Sequence, residues 1–71
     1  MRYKEPRRLS FIQAMSKLKD KDVTLQVNIW FDLMSGDKFV GRLSTKAARE
    51  VMPLCQEINR DKYGRYYKLK S

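Results

Sequence analysis

Seventy-one residues make one small domain, because a chain this short buries only about 60% of its unfolded surface and has no material for a second core. Hydrophobic residues at 42% and charged residues at 34% mark a chain that folds, and sixteen Lys and Arg against eight Asp and Glu leave a formal charge of +8. With no His and a single cysteine, Cys55, the usual zinc ligand sets, the imidazole general base and an internal disulfide are all excluded.

The positive excess lies at the two ends. Residues 1–8 carry Arg2, Lys4, Arg7 and Arg8 against Glu5, a net +3, and residues 63–71 carry Arg65, Lys68 and Lys70 with no acid, again +3, so the 54 residues between hold only +2. The chain reads as a basic N-terminal arm (1–8), a body (9–62) and a basic aromatic C-terminal segment (63–71), with both ends suited to gripping a polyanion. No apolar run approaches the roughly 20 residues that cross a bilayer, and no hydrophobic stretch follows the N-terminal charges. The expectation is a protein without membrane contact, in a reducing compartment, the cytoplasm.

The first helix begins after Ser10. Ser10 with Gln13 three residues on forms a capping box, and Phe11, Ala14, Met15 and Leu18 recur at helical spacing, which predicts a helix over about 11–19. From Val23 the period changes to two. Val23, Leu25, Val27, Ile29 and Phe31 alternate with Thr24, Gln26, Asn28, Trp30 and Asp32, which predicts one long strand. Turn chemistry around Met34, Ser35, Gly36 and Asp37 leads to a second strand in which Phe39, Gly41 and Leu43 alternate with Lys38, Val40 and Arg42.

Ser44 or Thr45 caps a second helix whose stripe of Ala47, Ala48, Val51, Leu54, Cys55 and Ile58 runs past Pro53, where the helix is either kinked or broken. Tyr63-Gly64 is a stop signal, and Arg65 to Lys70 alternates as a possible third strand. The expected fold is therefore α+β, in the order α-β-β-α-(β). It has an antiparallel hairpin with helices packed on one face and the other face open.

Nothing in the chain supports catalysis. Gly36, Gly41 and Gly64 are scattered and form no phosphate loop, the Asp20–Asp22 and Asp32–Asp37 pairs read as solvated turn residues, and Cys55 sits on an apolar stripe where a thiol is a small hydrophobe. The reading is a protein that is not an enzyme and needs no cofactor or metal.

The open hairpin face carries more than an idle solvent face requires. Gln26, Asn28 and Trp30 share it with Lys38 and Arg42, and Tyr66, Lys68 and Lys70 join if the last strand pairs. Cations hold phosphates, aromatic rings stack on bases, and amides address base edges. With Arg2, Lys4, Arg7, Arg8 and Arg65 at the termini, this predicts a small basic nucleic-acid-binding protein, DNA slightly ahead of RNA. Ser44-Thr45-Lys46-Ala47-Ala48 after a hairpin faintly resembles the sheet-then-helix arm-binding domains of phage integrases. The leading helix and the count of two strands here depart from that family's three-stranded sheet, and the likeness names no family.

The alternative is a small regulatory phage or mobile-element protein that binds and modulates a larger host protein. Its charge would then address an acidic surface, with Trp30 and Met34 as anchors. An exposed edge strand would also allow a homodimer.

Overall fold

A computed structural model describes residues 8–70, which form six strands and two short helices. In chain order these are β1 (Arg8–Leu9), α1 (Phe11–Leu18), β2 (Val23–Val27), β3 (Phe31–Ser35), β4 (Lys38–Leu43), α2 (Thr45–Val51), a 3-10 turn (Met52–Leu54), β5 (Cys55–Asp61) and β6 (Gly64–Leu69). One mixed sheet holds all six strands in the order β1-β4-β3-β2-β6-β5. β1 runs parallel to β4, and every other neighbouring pair is antiparallel.

The expected order α-β-β-α-(β) is corrected by this sheet, which makes the molecule mostly strand. The single long strand from Val23 divides at Asn28, whose side chain accepts the Trp30 N–H at 2.9 Å while its own N–H donates to the Trp30 carbonyl at 3.1 Å. An asparagine that bonds the backbone two residues on closes a turn rather than extending a strand. Val27 therefore faces Phe31 across a hairpin, and three antiparallel strands, not two, precede α2.

The second helix is corrected as well. Ser44 caps it, its Oγ accepting the Ala47 N–H at 3.1 Å, but it stops at Val51 and Pro53 sits in the 3-10 turn that follows. Proline lacks the donor that a continuing helix needs, and its ring crowds the carbonyl four residues back. The segment from Cys55 then pairs with β6 along its length. Its helix-like spacing of Leu54, Cys55 and Ile58 yields to strand pairing, which satisfies the backbone on β6. The C-terminal segment forms the strand that its alternation suggested. β6 lies inside the sheet, between β2 and β5.

Both helices cover one face. Ala14 and Leu18 of α1 and Ala47, Ala48 and Val51 of α2 close over Leu25, Leu33 and Leu43 to form one apolar core, which Leu9, Val23 and Cys55 complete. The Ser10–Gln13 capping box forms as expected, with Gln13 N–H donating to Ser10 Oγ at 3.3 Å and Ser10 N–H to Gln13 Oε1 at 3.0 Å. Gly41 on β4 lets β1 lie close, since a Cβ there would meet Leu9 Cδ1 at 2.7 Å. Among the described residues no helix is long and apolar enough to cross a membrane.

Candidate functional site

A bulge in β4 decides which side chains reach the open face. Leu33 pairs with Gly41 but Met34 pairs with Phe39, so Val40 is the extra residue and the alternation reverses across it. Val40 consequently packs against the core, while Phe39 is 43% exposed. The sequence reading put Val40 on the open face with Lys38 and Arg42, and Phe39 on the apolar face. The bulge corrects both positions, and it leaves Lys38 lining a cleft with Ser16, Lys17 and Asp20 near the end of α1.

Beyond the bulge Arg42 keeps its expected place and meets Trp30. The Arg42 guanidinium lies 4.4 Å from the Trp30 ring centroid, and that of Arg8, its partner in register on β1, lies 5.8 Å away. Arg42 Nε donates to Asp32 Oδ1 at 2.8 Å, an ion pair whose carboxylate residue is 8% exposed. Asp32 is thus a buried counterion that orients Arg42, not the solvated turn residue the sequence suggested. Trp30 remains 44% exposed. A guanidinium held against an indole and fixed from behind by a carboxylate is a pre-positioned cation–aromatic pair.

The same end of the sheet carries a second cluster, where the β2–β3 loop meets the β5–β6 turn. Asn28 Nδ2 donates to the Tyr63 carbonyl at 3.2 Å, and Gln26 Nε2 donates to that carbonyl at 3.4 Å and to the Tyr66 hydroxyl oxygen at 3.3 Å. Tyr66 in turn donates to Asp61 Oδ1 at 3.2 Å, and the same oxygen accepts the Tyr63 N–H at 2.8 Å. Partial desolvation, then the hydrogen bond to Asp61, push the Tyr66 phenol above its ordinary pKa. Gly64 closes this junction. At φ 139° its Cα lies where any Cβ would meet the Val27 carbonyl oxygen at 2.5 Å.

The predicted site residues therefore separate into three groups. Trp30, Arg42 and Arg8 come together, and Arg65 is exposed at the start of β6, at the same end. Gln26, Asn28 and Tyr66 are drawn into the hydrogen bonds that join the two turns. Lys68 and Lys38 lie elsewhere: Lys68 Nζ donates to the carbonyls of Leu18 and Asp20, at 3.4 and 2.9 Å, and of Val23, tying off the end of α1. That is a structural duty, since the last carbonyls of a helix have no partner within it. Lys70 is exposed past β6, where its N–H bonds the Leu54 carbonyl, and Arg2, Lys4 and Arg7 lie outside the described residues.

Two exposed residues at this end were not read as site residues: Ile29, which the alternation put on the apolar face but which is 85% exposed at the head of the β2–β3 loop, and Tyr63, read only as part of a stop signal, 61% exposed with Lys62 Nζ 5.2 Å from its ring centroid. The signal that could have found the second is Asp61-Lys62-Tyr63-Gly64, with Asp and Gly at the first and fourth positions of a tight turn. Cys55 is buried where the 3-10 turn enters β5, and burial pushes its thiol up against the lowering effect of Lys68 and Lys70. Among the described residues no three His, Cys, Asp or Glu side chains gather as a metal site.

No protein family, curated protein or solved structure matches this chain.

Proposed function

We propose that this protein is a small, non-catalytic nucleic-acid-binding domain that uses the end of the sheet around Trp30. The observation that carries the reading is the half-exposed indole with two arginine guanidinium groups 4.4 and 5.8 Å from its ring centroid, in a chain of net charge +8. An aromatic surface that is partly open accepts a base or sugar face, while arginine and lysine side chains around it bind phosphate in a way that is independent of sequence. Arg65 and Lys62 extend the positive surface at the same end.

Two consequences separate this reading from that of a protein-binding factor. Binding to generic DNA or RNA should weaken steeply and linearly in log affinity against log salt, because each phosphate contact releases counterions. Trp30 is the only tryptophan, so its fluorescence reports the site directly. Emission should be quenched on addition of DNA or RNA, and Trp30→Ala should weaken binding by about 5- to 150-fold, the span of roughly 1 to 3 kcal/mol expected for one stacking contact. Absence of binding at low salt would defeat the proposal. Binding with unchanged Trp30 emission would move the contact away from this end.

A further inference from the structure

Ile29 stands out among the described residues because a large aliphatic side chain stands in water on a loop whose backbone is hydrogen-bonded on both sides. It is the most exposed large hydrophobic residue, at 85%, and the backbone on either side is pinned by the Asn28–Trp30 pair of hydrogen bonds and by the Asn28 bond to Tyr63. Tyr63, 61% exposed, heads the neighbouring turn, and the two heads are locked together because Gly64 abuts Val27. Exposed cations flank this apolar end: Arg65 pairs in register with Val27 just before the loop, and Lys62 lies against the Tyr63 ring.

An apolar apex flanked by cations fits one polyanion in particular. We propose that this end of the sheet engages double-stranded DNA and that Ile29 enters between two base pairs as a wedge, partly unstacking the step and bending the duplex. The assignment rests on the nucleic-acid reading above and deepens it. Charge complementarity selects a nucleic acid, and the protruding aliphatic tip selects a stacked duplex. A single strand would offer bases to the flat Trp30 ring without needing a wedge. Apolar side chains inserted at a base step are a recurrent means of bending DNA, with neighbouring cations holding the flanking phosphates. Pyrimidine–purine steps unstack most readily, so the wedge should favour them.

The test measures binding and unstacking separately on one probe, a short duplex with 2-aminopurine at a central TA step and a fluorescence donor and acceptor at its ends. Anisotropy of a labelled copy gives the affinity. The wild type should bind, raise the 2-aminopurine emission and shorten the end-to-end distance. Ile29→Ala, at an exposed position that leaves the core intact, should bind within about tenfold of wild type yet lose the emission rise and the shortening, because the lost wedge contact is offset by unstacking that no longer occurs. Binding by the wild type with no change in either signal overturns the wedge while sparing the nucleic-acid reading, as does an Ile29→Ala protein that unstacks as well as wild type. No binding to this duplex or to its separated strands overturns both.

Discussion

The two halves of the sheet are built from similar strands and protected very differently. In β2, β3 and β4 the inward leucines Leu25, Leu33 and Leu43 are at most 1% exposed, whereas in β5 every residue after Cys55 is exposed. The reason is one of reach. Helices pack about 8 to 10 Å apart, so two side by side cover about 20 Å, and strands about 4.8 Å apart make six of them wider than that. α1 and α2 close over the β4 side, and β5 is left as the outer strand of a ribbon that leans on the core through Cys55, Tyr67 and Leu69. Stability is concentrated under the helices, and the accessible site lies at the end of the sheet where the ribbon's turn meets the β2–β3 loop.

That contrast can be broken most severely at its buried pole. Leu33→Ala removes a fully buried side chain from the middle of the core and should cost about 2 to 5 kcal/mol, measured by urea unfolding. A loss below about 1 kcal/mol would mean that the helices do not close over the sheet as described. Gly64→Ala, at the junction, should cost about 1 to 3 kcal/mol through its positive φ and the Val27 carbonyl. Amide exchange should then rise first in β6 and in the β2–β3 loop, and uniform exchange throughout would show that the ribbon is not a separable unit. The smallest effect belongs to the outer surface. Arg60 donates to both carboxylate oxygens of Glu57, at 3.0 and 3.1 Å, and lowers its pKa, yet the pair is solvated. A depressed carboxylate pKa adds stability only above its ordinary value and loses it as pH falls, but solvent screening makes that contribution negligible for this pair, so Glu57→Gln should leave the melting temperature unchanged at pH 7 as well as at pH 3. A clear drop at pH 7 alone would place the ribbon under cover after all.

Local chemistry made part of this legible. Ser10 with Gln13, and Ser44, announce both helix starts, and each cap forms because its bonds lie within three residues. Trp30 and Arg42 were read onto one surface, which holds because the arginine follows the bulge and keeps its phase. Lys38 and Phe39 precede the bulge and were read onto the wrong faces, since a bulge reverses alternation without changing any residue's propensity. Asn28 was read as a strand residue because its neighbours alternate. Its side chain's bond to Trp30 N–H breaks that strand.

The amino-acid order alone determined where the helices begin, that positive charge outweighs negative by eight, and that the chain has no histidine and one cysteine. Only the tertiary structure decided that residues 55 to 61 form a strand and that Asp32 is a buried counterion for Arg42. It also turned Lys68 inward onto three backbone carbonyls and brought Ile29 and Tyr63 together at one end. Each of these depends on a partner distant in sequence or on a register shift, and periodicity within one segment carries no information about either.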